Sequence, residues 1–154
     1  MKFAGRYLIS ASRQKVWEAL NDTEVLKSCI PGCTRMEFVA PDELEAEMGV
    51  QLGPVKFTFN GELKLTIVTV AERYMLAGRG RSGWIGGAKG SADISLADDP
   101  GGTVLAFEAE GEANSSIANF GANVVGRSAQ GVIDRFFERF AGAIGASSRS
   151  LLEG

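Results

Sequence analysis

The residues between Thr34 and Glu112 alternate between apolar and polar side chains almost without interruption. A period of two is typical of β-strands that bury one face and expose the other. After Glu112 the apolar residues recur every three or four positions instead, which is the spacing of an amphipathic helix. The sequence therefore predicts an α+β fold in which one antiparallel sheet packs against a long C-terminal helix, from about residue 116 to 146.

The N-terminal segment adds one strand and two short helices to this plan. Residues 2–9 alternate like the later strands. Ser12 and Asp22 stand where N-caps are expected, and Pro31-Gly32 would stop the second helix. With six later strands in meander order, the predicted sheet has seven strands.

The dipeptide Asn60-Gly61 is a strong hairpin signal inside the alternating region. A two-residue turn there would pair Phe59 with Glu62 and exchange the two faces of the strand. A continuous strand keeps both faces intact until Val68, where a bulge or an end is expected. We therefore predict one long strand, preceded by a hairpin at Gly53-Pro54 and followed by strands at about 74–82, 88–98 and 103–112.

Glycines are concentrated in the second half of the alternating region. Residues 78–83 spell Gly-Arg-Gly-Arg-Ser-Gly, but no helix begins after them, so the pattern is not a nucleotide-binding loop. Several glycines fall on the inward side of the predicted strands, where they would leave space for an apolar molecule: Gly61, Gly78, Gly80, Gly90 and Gly111. The alternative is that they only bend the sheet, or that helix and sheet pack closely enough to fill the space.

The amino-acid composition limits the classes of function that the chain can have. The 154 residues are 45% hydrophobic and 23% charged, as expected for a single globular domain spanning residues 1–154. A net charge of -3 argues against nucleic acid as a partner. The chain has no histidine, and Cys29 and Cys33 have no further cysteine to complete a metal site, so neither catalysis nor a metal is expected. No secretory signal or membrane-spanning segment is evident, which predicts a cytoplasmic location.

The candidate ligand-binding residues lie on the inward face of the predicted sheet, on the first short helix and along the long helix. Trp84, next to Ile85 between glycines, is either an exposed tip that touches a membrane or partner, or a lid over the interior. The full set is Trp17, Phe57, Phe59, Leu65, Leu76, Gly78, Trp84, Phe107, Ile117, Phe120, Gly121, Val124, Val125, Ser128 and Phe136.

Nearly the whole chain resembles the family of carbon monoxide dehydrogenase G subunits, within the START-like helix-grip superfamily that includes polyketide cyclases and the birch-pollen allergen. The motifs that carry the resemblance are Gly5-x-Tyr7, Val16-Trp17-x-x-Leu20-Asn21-Asp22, Leu26-x-x-Cys29-Ile30-Pro31-Gly32-Cys33, Gly53-Pro54-Val55-Lys56 and Gly90-Ser91-Ala92. The resemblance implies a sheet wrapped around the C-terminal helix, with a deep ligand cavity between them. It also implies an accessory, non-catalytic role that associates a molybdenum-dependent carbon monoxide dehydrogenase or related hydroxylase with the membrane.

The cavity and the implied partner together suggest a carrier that shields a respiratory quinone or another prenyl lipid from water. The ligand would be bound without a covalent link, and the protein would lie in the cytoplasm or at the inner face of the plasma membrane. Two alternatives remain open at this point. One is a small cyclase-type or hydrolase-type enzyme acting on an aromatic or lipidic substrate, with Tyr7, Asn114, Asn123 or Ser128 as inward polar groups. The other is a purely structural adaptor with a filled core.

Overall fold

The order of helices and strands follows the predicted plan in a computed structural model that describes residues 1–83 and 86–151. The N-terminal elements are β1 (Lys2–Ile9), α1 (Arg13–Leu20) and α2 (Thr23–Cys29). A meander of strands follows: β2 (Cys33–Ala40), β3 (Glu43–Leu52), β4 (Val55–Thr69), β5 (Arg73–Ser82), β6 (Gly86–Asp99) and β7 (Gly102–Ala113). The chain continues with α3 (Ser115–Ala118), α4 (Ala122–Ala143) and β8 (Ser148–Ser150).

Both short helices begin at the predicted caps. The Ser12 hydroxyl accepts a hydrogen bond from the Lys15 amide at 3.2 Å. The Asp22 carboxylate accepts one from the Glu24 amide at 2.9 Å. Each side chain satisfies an amide that the first turn of a helix leaves without a backbone partner.

The described strands form one antiparallel sheet in the order β2-β3-β4-β5-β6-β7-β1-β8, which has one strand more than the predicted seven. The additional strand, β8, pairs Ser150 with Tyr7 at the edge of the sheet. The Leu151 amide continues this edge by donating to the Arg6 carbonyl at 2.8 Å. Three residues, Ser-Arg-Ser, carry no apolar alternation, so their pairing depends on backbone hydrogen bonds that the sequence pattern does not reveal.

The long strand β4 runs through Asn60-Gly61 without a turn, as predicted. Gly61 lies opposite Ala46 on one side and opposite Gly80 on the other. The preceding hairpin pairs Leu52 with Val55, and the register shifts between Ile67 and Thr69, where the alternation failed. The alternation of apolar and polar residues was therefore a better guide to this strand than the Asn-Gly dipeptide.

The predicted long C-terminal helix is present, but it is shorter than its predicted span of residues 116–146. Two helices, α3 and α4, occupy that span, and they are separated at Gly121, whose φ of +96° lies outside the right-handed helical region. The Gly121 amide donates to the Ala118 carbonyl at 2.9 Å and closes the short first helix. The apolar spacing continues through this break, which explains why the periodicity did not show it.

The buried side chains form two separate groups. The main cluster joins α1, the far end of α4 and the sheet; within it Phe137 stacks on Tyr7 at 4.1 Å and on Phe107 at 5.6 Å between ring centroids. The second cluster is built around Leu52 and Ile117, at the tip of the β3–β4 hairpin and on α3. Its half-buried members are Val50, Phe57, Phe59, Ala113, Phe120 and Val125.

The main cluster makes stability sensitive to alkaline pH. Burial raises the pKa of Tyr74 well above its ordinary value, and burial together with Asp134 and Glu138 raises that of Tyr7. An unfolded tyrosine ionises near pH ~10, so above that pH the folded state holds more protons and the free energy of unfolding falls. We expect Tyr74→Phe to retain more of its stability than the wild type between pH 9 and 11, as measured by urea unfolding. Equal losses in both proteins would contradict this assignment.

Candidate functional site

A cavity of about 410 Å³ lies against the inner face of the sheet. Met36, Leu63 and Leu76 in its wall pack with the main cluster, whereas Phe59 packs with the second cluster. The cavity is thus bordered by members of both clusters. Sites for small organic ligands usually enclose ~300–1,000 Å³, so this volume is sufficient for one.

The floor of the cavity consists largely of backbone. Gly61 and Gly80 lie opposite each other on β4 and β5, and Gly78 lies opposite Gly90 on β5 and β6. A Cβ atom at Gly80 would have Asn60 O at 3.6 Å and a Phe59 ring carbon at 3.8 Å as its nearest neighbours, which is ordinary contact. The absence of a side chain at this position therefore leaves usable space above the sheet.

Not every glycine serves that purpose. A Cβ at Gly90 would come within 2.8 Å of the Glu110 carbonyl oxygen, so glycine is needed there because the neighbouring backbone approaches closely. The predicted open volume therefore applies to Gly80, whereas close approach of the neighbouring backbone explains Gly90.

The Cys-Ile-Pro-Gly-Cys motif forms one end of the cavity wall. Ile30 and Cys33 line the cavity, and between them Gly32 takes a φ of +76° while its carbonyl accepts a hydrogen bond from the Gly49 amide at 2.9 Å. The Cys33 thiol donates to the Arg35 carbonyl at 3.3 Å. Burial raises the pKa of this thiol, which keeps it protonated at neutral pH.

Gly32 is expected to be intolerant of a side chain. Its φ is strained for an L-residue, and an added Cβ would collide with the Gly49 carbonyl oxygen. We expect Gly32→Ala to lower the free energy of unfolding by on the order of 2 kcal/mol, as measured by chemical denaturation. A change below about 0.5 kcal/mol, the usual range for surface substitutions, would show that the turn adapts freely.

The structure brings three of the predicted site residues to the cavity wall: Phe59, Leu76 and Gly78. It places Trp17, Leu65, Phe107 and Phe136 in the main cluster, and Phe57, Ile117, Phe120 and Val125 in the second cluster. Gly121 marks the helix break, and Val124 lies beside the turn at Gly53. The Ser128 hydroxyl donates to the Gln51 carbonyl at 2.7 Å, and Trp84 falls outside the described residues.

The helices contribute less to the cavity wall than the sequence predicted. Among the residues 115–143, none lines the cavity, because α4 packs beside α2 and β3 and α3 joins the second cluster. The site prediction instead missed Ile30, directly after α2, and Cys33, Met36 and Met48 on β2 and β3. The inward alternation of β3 and the Cys-Ile-Pro-Gly-Cys motif were the available signals for this wall.

Three of the inward polar residues proposed for an enzyme, Tyr7, Asn114 and Ser128, have structural partners. The Asn114 side chain accepts a hydrogen bond from the Ile117 amide at 3.1 Å and caps α3, while Tyr7 stacks on Phe137. Within residues 1–83 and 86–151, no group of three metal-binding side chains comes together. Over the same residues, no helix has the length and apolarity needed to cross a lipid bilayer.

Comparison with protein families is decisive for the classification. The family model for CoxG, the G subunit of carbon monoxide dehydrogenase, matches residues 5–145. The chain belongs to the CoxG family. CoxG is a family of accessory subunits not known to be catalytic, and membership implies association with carbon monoxide dehydrogenase-type enzymes. No curated protein sequence matches this CoxG protein.

Solved structures similar to this CoxG protein confirm the predicted START-like fold. A conserved protein from Geobacillus kaustophilus aligns with a TM-score of 0.84 at 22% identity, over 97% of this chain and 99% of that one. A START superfamily protein from Mycobacterium smegmatis aligns with a TM-score of 0.68 at 13% identity, over 94% and 97%. Ara h 8.0201 aligns with a TM-score of 0.57 at 16% identity, over 94% and 98%. The family and the fold together point to a ligand-binding accessory protein.

Proposed function

We propose that this CoxG protein is a single ligand-binding domain over residues 1–154 that carries a hydrophobic molecule for a carbon monoxide dehydrogenase-type molybdenum hydroxylase. The ligand is a respiratory quinone or another prenyl lipid, bound without a covalent link. The observation that supports this best is the 410 Å³ apolar cavity between the two clusters. A purely structural adaptor would have no use for this unfilled volume.

Affinity comes from burial of hydrocarbon. Removing apolar surface from water contributes about 25 cal/mol per Å², so each ~100 Å² of a prenyl chain adds roughly 2.5 kcal/mol before the cost of ordering it. Side chains such as Met36, Met48 and Leu76 supply the contact surface. Methionine is well suited to such a wall because its flexible thioether adapts to ligands of different shape.

The accessory role follows from the chemistry of the two partners. An enzyme that oxidises its substrate must pass electrons on, and a prenyl quinone that accepts them does not dissolve in the cytoplasm. A protein that encloses the apolar part of the quinone would connect the enzyme to the membrane quinone pool. On this proposal the protein works in the cytoplasm, with transient peripheral contact at the inner face of the plasma membrane.

Extraction of the protein after gentle purification tests the proposal. We expect organic extracts to contain a prenylated species in an amount comparable with the protein, identified by mass spectrometry. A stripped sample should take up an added prenyl quinone, as measured by gel filtration with absorbance at the quinone band. Failure of both experiments would refute the proposed carrier role.

A further inference from the structure

We infer that the cavity holds its ligand by hydrocarbon contact alone and therefore binds the oxidised and reduced forms of a quinone equally well. The inference rests on the proposed carrier function and adds to it the basis of ligand selection. It depends on which hydrogen-bonding groups the described lining residues present to the interior.

Among the described lining residues, the Cys33 thiol is the one polar side-chain group that points into the cavity, and it already forms a hydrogen bond. It donates to the Arg35 carbonyl, which lies on the same strand. A thiol is also only a weak acceptor, so it would form at most a weak hydrogen bond with a ligand hydroxyl. Cys33 therefore provides no strong hydrogen bond to a ligand.

The other polar residues that border the cavity turn their side chains to the opposite face of the sheet. Arg79 and Glu62 form an ion pair at 3.2 Å, with 76% and 64% of their side chains exposed. Lys89 pairs with Glu112 at 3.7 Å and is 73% exposed, and Ser91, two residues further along β6, is exposed on the same face. Alternation along the strands explains this, because the glycines on either side of Arg79 face the cavity.

The backbone groups of the cavity floor are also already hydrogen-bonded within the sheet. Gly80 pairs with Gly61 on β4 and with Ala88 on β6, and Gly78 pairs with Leu63 and Gly90 in the same way. Strands β4, β5 and β6 all lie inside the sheet, so their amides and carbonyls bond to neighbouring strands. The floor offers close contact with hydrocarbon but no free donor or acceptor.

This arrangement determines how a prenyl quinone binds. A quinone carbonyl only accepts hydrogen bonds, whereas a quinol hydroxyl also donates them, so a fixed donor or acceptor would favour one form. Without such a group, the polar oxygens remain at the solvent side and the chain occupies the cavity. Equal affinity leaves the reduction potential of the bound couple at its free value, so the carrier delivers quinone and removes quinol without redox preference.

A competition assay on the full-length protein tests this inference. Displacement of the fluorescent probe 1-aminoanthracene would be measured with a prenyl quinone, its quinol kept reduced under anaerobic conditions, and the prenyl alcohol of the same chain length. We expect the three dissociation constants to agree within about threefold. Cys33→Ala should leave the quinone-to-quinol ratio unchanged, which separates recognition by the thiol from a general packing effect.

The contrary results are distinguishable. A quinone-to-quinol difference above about tenfold, equivalent to a shift of about 30 mV in the bound couple, would overturn this inference while leaving the carrier function intact. Tight binding of the quinone and quinol with no binding of the alcohol would overturn it also, because the head group would then be recognised. Failure of all three compounds to displace the probe would overturn both the inference and the proposed function.

Discussion

Replacing Gly80 with leucine is expected to stabilise the protein and to weaken its binding of a prenyl ligand. The backbone at Gly80 accepts a Cβ at ordinary contact distances, and the rest of the leucine side chain would extend into the cavity. Filling apolar space and removing a glycine from a strand should raise the free energy of unfolding by about 1 kcal/mol. The same side chain would weaken ligand binding by more than about tenfold, as measured by calorimetric titration with a prenyl quinone.

Ala77→Leu is the matched control for this variant. Ala77 lies on the same strand, but it is exposed and pairs with Lys64 and Ser91 on the outer face of the sheet. The control should bind the ligand like the wild type. If both variants bound equally well, the ligand would not occupy the inner face of the sheet at Gly80.

Phe140→Ala is expected to cause the largest loss of stability. Phe140 is completely buried in the main cluster and stacks on Phe136 at 5.4 Å between ring centroids. Truncating a buried phenylalanine costs about 3–5 kcal/mol through lost burial and the cavity that remains. Because whole domains have only ~5–15 kcal/mol of stability, the variant should unfold on the order of 10 °C earlier in a calorimetric scan.

Val70→Ala provides the comparison for this loss. Val70 is 68% exposed at the turn after β4, so its truncation should change the free energy of unfolding by less than about 0.5 kcal/mol. If Phe140→Ala were as mild as this control, α4 would not be anchored through its C-terminal half.

The sheet was largely predictable because the alternation of apolar and polar residues along each strand shows which side chains face the interior. A slip of one residue in β4 would have turned Phe57, Phe59 and Leu65 to solvent, so alternation alone determined that the strand passes through Asn60-Gly61. The caps at Ser12 and Asp22 were equally local, since each side chain bonds an amide two or three residues away.

The features that escaped prediction depend on tertiary contacts. Strand β8 exists because the edge of β1 offers backbone partners, and the break at Gly121 leaves the apolar spacing of the helix unchanged. The cavity wall was only partly predicted for the same reason. Alternation shows that Met48 faces inward, but only the packed structure shows that Met48 borders the cavity while Leu65 is buried in the main cluster.

The glycines of the inner face of the sheet have two different structural explanations. Gly80 and Gly61 leave room above the floor, whereas Gly90 lies where the backbone of β7 approaches too closely for a side chain. A motif that resembles a phosphate loop therefore belongs to a strand whose missing side chains shape an apolar space. The same reasoning applies to other helix-grip sheets, in which the distance from a Cβ built on each glycine to its neighbours distinguishes open space from close backbone approach.

A crystal structure of the protein with a bound prenyl quinone tests the central claim most directly. The account predicts elongated density along the inner face of the sheet, in contact with Gly61, Gly80, Met36 and Leu76. A structure in which these side chains interlock without a gap, or in which the ligand lies on the outer face of the sheet, would contradict it.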